Sequence, residues 1–327
     1  VKEIFAPHLG RNVKFGRRER APGGTRIHFS DFVAHAVMPT IPTACDFSPK
    51  AASVLADIYG NDALGDCVVA GGYHMLAVWL GNATGVPFHA TRTQIVADYH
   101  AIGGYVPGDA STDNGCQLQD AIKYWTQHGF ANGTKLIGSV SVNARSVNDV
   151  KAACFLTETL KFGVSMPDKW ISPFPSGNGF VWDVAGPSNP NNGHDFIAYG
   201  FNDKGVLIDS WGLKGLITWA AVAAYAGPSS NGELYGLFTE DIRAKGQATA
   251  PNGVAWSDLV KAFDSMGGNV PVPAPPPPAP PAPTPGGVTL AQAQAWAAAG
   301  LQSGPWLISK DAAINNVKRS LQGSWPK

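Results

Sequence analysis

The chain has 327 residues, 24 basic against 24 acidic side chains and 44% hydrophobic content, enough to bury a large core in one or two domains. Balanced charge argues against nucleic acid or an anionic membrane as the partner of the whole chain, and no apolar run approaches the roughly 20 residues that span a bilayer. The four cysteines, Cys45, Cys67, Cys116 and Cys154, are widely spread with no CxxC pair, so neither a zinc site nor another cofactor is expected.

Residues 1–30 carry Lys2, Arg11, Lys14, Arg17, Arg18, Arg20 and Arg26 among glycines, with little periodicity. They read as a flexible basic arm, with a short propeptide or an arm docked on a neighbouring subunit as alternatives. No apolar signal-peptide core follows the charges. Residues 37–49 hold Pro39, Pro42 and Asp46, and residues 51–58 read as a short helix. Gly60-Asn61-Asp62-Ala63-Leu64-Gly65-Asp66 is a polar turn that delivers Cys67 to the start of an apolar helix over 67–80. The first turn of a helix has unpaired N–H groups and a positive dipole end, which favour a thiolate nucleophile there. The competing role for Cys67 is a small buried residue at a helix start. His74, two turns further on, is expected to be a structural residue.

Thr91 caps a helix that ends at Gly103-Gly104. A polar loop follows over 106–116, then a helix over 118–128 closed by Gly129. Strand-rich sequence begins at 137–142, with a helix over 148–160 and a strand at 163–166. Residues 169–192 make a long loop bearing Trp170, Phe174, Phe180 and Trp182. It is expected to line a cleft, since it leads into His194, or else to cap a core edge. Residues 196–201 and 206–208 are strands around the turn Asn202-Asp203-Lys204-Gly205. His194 enters that hairpin and Asp209 leaves it, a spacing that can bring the two side chains together. A last strand lies at 236–239 and a short amphipathic helix at 256–263. Ten of the fifteen residues 271–285 are proline, a polyproline rod roughly 45 Å long at ~3.1 Å per residue. Beyond it, a capping box at 289–292 and Ser309 start two helices with apolar stripes, a marginal unit by itself that is expected to dock on the catalytic domain, another copy or a partner.

Several pieces then combine. Asn61 stands six residues before Cys67, in the context Gly65-Asp66-Cys67; later come Gly193-His194 and Asp209-Ser210-Trp211-Gly212; a weaker piece is Asp113-Asn114-Gly115-Cys116. Over roughly residues 40–245 the chain resembles the papain-like cysteine peptidases. The resemblance implies an α+β, two-lobed fold, a helical lobe plus a β-barrel-like lobe, over 31–268. That fold is flanked by the arm 1–30, the Pro-rich linker 269–287 and a C-terminal helical hairpin over 288–327. It implies peptide or amide hydrolysis of a peptide or protein substrate by a triad of Cys67, His194 and Asp209, with Asn61 as oxyanion donor and Trp211 shielding the histidine. Asp209 stands where the family has Asn, Asn61 where it has the longer Gln, Asp66 where it has Ser, and Val68 where it has an aromatic. The family's bridge from the Gly-Cys motif to a cysteine ahead of the nucleophile has no partner here for Cys116, which points to a reducing compartment or to no dependence on disulfides. The localisation expected is cytoplasmic or within an assembled particle. The alternative function is a papain-fold structural or tethering component, for instance of a virion, with little turnover.

Overall fold

The computed structural model describes residues 1–21, 27–33 and 40–239. The expected helix at 256–263, the Pro-rich linker and the C-terminal helical pair lie outside the described residues. The described chain begins with strands β1 (Glu3–Ala6) and β2 (Arg11–Lys14), which pair antiparallel with Ile4 opposite Val13. Gly10, with φ of +64°, closes their turn. Residues 3–14 are therefore an ordered hairpin, where charge and glycine content led to the expectation of a flexible tail.

Helix α1 (Phe29–Val33), strand β3 (Cys45–Asp46) and helix α2 (Ala52–Leu55) lead to the central helix α3 (Cys67–Thr84). Fifteen consecutive residues of α3, from Cys67 to Gly81, are buried, so it is apolar all round as a helix enclosed on several sides must be. Helix α4 (Arg92–Gly103) starts with a full capping box from Thr91 and Gln94, and α5 (Leu118–Gln127) buries one face through Leu118, Ala121, Ile122 and Trp125. The remaining elements are β4 (Leu136–Ser141), α6 (Val147–Thr157), β5 (Leu160–Ser165), β6 (Phe180–Trp182), β7 (Gly193–Phe201), β8 (Gly205–Ser210), β9 (Leu213–Thr218), α7 (Trp219–Tyr225) and β10 (Glu233–Thr239). The large sheet runs β4-β10-β5-β7-β8-β9-β6, with β3 also on β7. The pairing is an open path, whose end strands β4 and β6 are not joined among the described residues.

The long segment 169–192 does two jobs. It supplies β6, which extends the sheet beside β9, and its Trp170 and Trp182 stack at 4.8 Å. Its Phe174 also reaches Trp211 at 5.1 Å.

Helix α3 lies against the sheet on strand β7, and a buried ion pair fastens the two. Lys161 Nζ on β5 donates to Asp195 Oδ1 on β7 at 2.8 Å and to the Val68 carbonyl in the first turn of α3 at 2.9 Å. Both side chains are fully buried. Burial pushes the Asp195 carboxyl up to about 7, against the pull of Lys161. A buried pair of this kind adds little net stability over an apolar contact, but losing one partner leaves an uncompensated charge. It fixes where the start of α3 sits relative to β7, and those two elements carry Cys67 and His194.

Candidate active site

Strand parity decides which side chains meet. Residues directly opposite on antiparallel strands project to one face, and successive residues alternate. Asp209 on β8 stands opposite Ile197 on β7. It therefore shares a face with Ile197 and Asp195, the face on which α3 lies. Ser210, one residue on, shares the other face with Phe196 and His194. The contacts follow this rule. His194 Nε2 lies 3.0 Å from Ser210 Oγ. Asp209 Oδ2 lies 3.3 Å from Nδ1 of His74 on α3, whose Nε2 lies 2.7 Å from the Asp57 carbonyl oxygen. No hydrogen bond joins Asp209 to His194 among the described residues; Ser210 stands where the sequence placed the carboxylate.

Trp211 stacks on the His194 ring with centroids 3.7 Å apart and planes 12° apart. Its backbone is left-handed at φ +51°, an uncommon conformation for a bulky residue that turns the chain sharply into Gly212. Cys67, Asn61, His194, Ser210, Trp211, His74 and Asp209 line one cavity of about 20 Å³, room for about one water molecule. His194 Nδ1 is buried without a hydrogen-bond partner. Asn61 Nδ2 donates to the Leu64 carbonyl at 2.8 Å, bracing the turn before Cys67.

Burial governs the electrostatics. It pushes the Cys67 thiol up to about 12, helped by the Asp195 and Asp66 carboxyls and opposed by backbone N–H groups of Asp195 and Gly16. The depressed thiol expected at a helix N-terminus is thus outweighed in this enclosed state. Burial, with the charge of Lys161, holds His194 well below its ordinary value. Asp66 occupies the N-cap of α3 but makes no side-chain capping bond. It is fully buried, and burial raises its carboxyl well above the usual range. Thiol and imidazole are both uncharged here.

The N-terminal arm encloses them. After β2 it runs between the two walls that carry the motifs. Lys14 N–H donates to the Asn61 carbonyl at 2.8 Å, Arg17 N–H to Gly193 at 3.1 Å and Arg18 N–H to Cys116 at 2.9 Å, while Cys116 N–H donates to Gly16 at 2.9 Å. Phe15 packs edge-on against His194 and Trp211, with centroids at 6.0 and 5.5 Å. Gly16 crosses the nucleophile turn so closely that a Cβ would fall 1.8 Å from the Gly65 carbonyl oxygen, so only glycine fits. Asp113 ties the arrangement together, accepting from Gly65 N–H at 2.8 Å, Tyr99 Oη at 2.7 Å and Lys14 Nζ at 2.9 Å. Burial would raise the Asp113 carboxyl, but these donors hold it below its ordinary value.

All four cysteines are free thiols. Among the described residues, no group of three or more His, Cys, Asp or Glu side chains could hold a metal ion, and no helix is long and apolar enough to cross a membrane.

No family model matches the chain, and no curated protein matches it. Solved structures do. Xylellain, a cysteine protease from Xylella fastidiosa, is similar with a TM-score of 0.50 and 14% identity, over 70% of this chain and 97% of that one. Digestive procathepsin L 3 of Tenebrio molitor larval midgut aligns with a TM-score of 0.48 and 12% identity, over 68% of this chain and 75% of that one. Bromelain protease from Ananas comosus, in complex with the inhibitor E64, aligns with a TM-score of 0.42 and 9% identity, over 61% of this chain and 100% of that one. The likeness to xylellain shows that the mixed helix and sheet architecture is that of the papain-like proteases.

Proposed function

We propose that the chain is a cysteine peptidase-like hydrolase that cleaves peptide or amide bonds in a peptide or protein substrate. The reading rests on one observation: a thiol at the start of the central helix and an imidazole with an open Nδ1 line the same cavity, on a papain-like fold. In this reading Cys67 Sγ attacks the carbonyl carbon while its proton passes to His194 Nδ1. The C–N bond breaks, the leaving amine takes that proton, and a thioester remains on Cys67. Water activated by His194 then hydrolyses the thioester and restores the thiol. The Cys67 backbone N–H and the second amide hydrogen of Asn61 are the candidate oxyanion donors. Ser210 takes the orienting role through His194 Nε2, and Trp211 keeps water from that contact. Asp209, the orienting residue expected from sequence, acts in this reading as a neutral partner of His74.

With the arm in place there is no room for a substrate chain beside Cys67, so turnover requires residues 14–18 to leave. The test is hydrolysis of a fluorogenic peptide panel by the full chain, as wild type and as Lys14→Ala, which loosens the arm at Asp113. Hydrolysis that increases in Lys14→Ala and disappears with Cys67→Ala and with His194→Ala is expected. Hydrolysis that survives Cys67→Ala would overturn the reading.

A further inference from the structure

Cys67 and Cys116 are fully buried beneath the arm. The other two thiols, Cys45 and Cys154, lie outside that cavity and touch each other. Cys45 is on β3, opposite Phe201 of β7. Cys154 is near the end of α6, which packs on the same strand. Their side chains are hydrogen-bonded to each other.

The surroundings fix both backbones. The Phe47 ring lies 6.2 Å from that of Phe155. Lys151, one turn before Cys154 on the same face of α6, sets its Nζ over the rings of Phe201 and Trp219 at 5.6 and 5.4 Å. Asn82 on α3 donates to the Phe47 carbonyl at 3.1 Å and to Glu158, just past α6, at 2.8 Å. Strand β3 lies so close to β7 that a Cβ on Gly200 would fall 2.2 Å from the Cys45 carbonyl oxygen. The contact between the two thiols is therefore held from both sides.

The thiols are unequal. Cys45 is half-buried and Cys154 fully buried. The bond from Cys154 lowers the Cys45 thiol below its ordinary value, against burial and with help from the Phe201 N–H. The same bond, with burial and the charge of Glu158, raises Cys154 well above its ordinary value. The proton stays on Cys154, and Cys45 combines thiolate character with access to solvent. Such a thiol, in contact with a second one, is equipped for oxidation and resolution. Cys67 and Cys116 are not, because burial pushes the first up to about 12 and the second well above its ordinary value.

We infer that Cys45 and Cys154 are a peroxide-sensitive redox pair, with Cys45 as the thiol that is oxidised and Cys154 as its resolving partner. The Cys45 thiolate attacks one oxygen of hydrogen peroxide. The S–O bond forms, the O–O bond breaks, and the departing hydroxide takes up a proton as water. Cys45 has lost two electrons to the peroxide and is a sulfenic acid. Cys154 Sγ then attacks Cys45 Sγ, the S–S bond forms, the S–O bond breaks, and hydroxide leaves with the Cys154 proton as a second water. The bridge joins β3 to α6 around the segment 45–154, which contains α3 and Cys67. None of this depends on the hydrolase reading.

The test treats the full chain with hydrogen peroxide, as wild type, Cys154→Ala and Cys45→Ser, then blocks free thiols and maps the peptides by mass. A dimedone trap reports sulfenic acid. Wild type is expected to yield a 45–154 linked peptide that a thiol reductant reverses, with Cys45 consumed at least about tenfold faster than Cys116. Cys154→Ala is expected to accumulate a trapped sulfenic acid on Cys45, and Cys45→Ser to leave Cys154 reduced. If Cys154→Ala does not fold, the linked peptide of the wild type decides. Cys45 oxidised no faster than Cys116, a Cys45 sulfenic acid that persists in the wild type, or a disulfide from Cys45 to any other thiol would overturn the inference. The readout is a covalent link, so it holds whether or not Cys67 turns over a substrate.

Discussion

Two buried histidines lie along one cavity, and they are held in opposite ways. His74, on α3, has Nε2 at 2.7 Å from the Asp57 carbonyl oxygen and Nδ1 beside Asp209. Burial lowers it to about 4, and burial raises the Asp209 carboxyl well above its ordinary value, so burial disfavours the charged form of each. His194, on β7, has one nitrogen on Ser210, an open Nδ1 and an indole stacked on its face. An imidazole with a carbonyl on one nitrogen and a carboxyl beside the other is a strut. One oriented through a single nitrogen, with the second free, is equipped to accept a proton. Residue type does not distinguish them; the uncommitted nitrogen does.

Substituting each histidine should separate the roles. In a chain whose arm is released, His194→Ala should lower the rate of peptide hydrolysis by about 10²- to 10⁴-fold, the usual worth of a general base, with little change in the denaturation midpoint. A His194 variant with full rate and lowered stability would merge the two classes. His74→Gln should do the reverse. Losing its bond to Asp57 in a buried site should cost about 2 kcal/mol of unfolding free energy at pH 7, measured by urea denaturation, with a rate close to that of the parent.

Acid should sharpen the contrast. In the folded chain His74 titrates near 4, below its ordinary 6.5. The unfolded chain therefore binds the extra proton first, and the stability His74 contributes is full above about pH 6.5 and lost as pH falls toward 4. His74→Gln lacks that loss. Its deficit against wild type should shrink between pH 7 and pH 4 by up to about 3 kcal/mol, enough to close or invert the gap. A deficit independent of pH would mean that His74 titrates alike in the folded and unfolded chains.

The smallest effect concerns adjacent residues on β8. Ser210→Ala removes one neutral hydrogen bond to His194, worth about 1 kcal/mol, and should slow hydrolysis roughly five- to tenfold. Asp209→Asn should leave the rate nearly unchanged. The opposite ranking would restore Asp209 to the orienting role.

The sequence carried these elements unequally. The β7–β8 hairpin was legible because Asn202-Asp203-Lys204-Gly205 separates two apolar runs, and the structure closes it at Asn202 and Gly205. Thr91 announced α4, and Cys67 was correctly expected at the start of α3. The choice between Asp209 and Ser210 was not legible, because it turns on register: a one-residue difference moves a side chain to the other face. The arm was opaque for another reason. Its main-chain partners are backbone groups of Asn61, Cys116 and Gly193, which leave no pattern in side-chain sequence, and its side-chain partner Asp113 is 99 residues from Lys14. The available signal was glycine at the crossings, Gly16 against Gly65 and Gly115, but the chain has 38 glycines, too many for three to stand out. The raised thiol follows from the same omission, since a reading without the arm leaves Cys67 uncovered.

The most direct measurement is the rate at which a small electrophile alkylates Cys67 between pH 5 and 9 in Lys14→Ala chains with and without His194→Ala, located by peptide mass mapping. The account predicts that with His194 present, alkylation near pH 7 outpaces that of an unfolded-chain thiol, and that without His194 it falls by at least about a hundredfold. Equal rates in the two chains, both no faster than a free thiol, would contradict the claim that His194 serves Cys67 as its base.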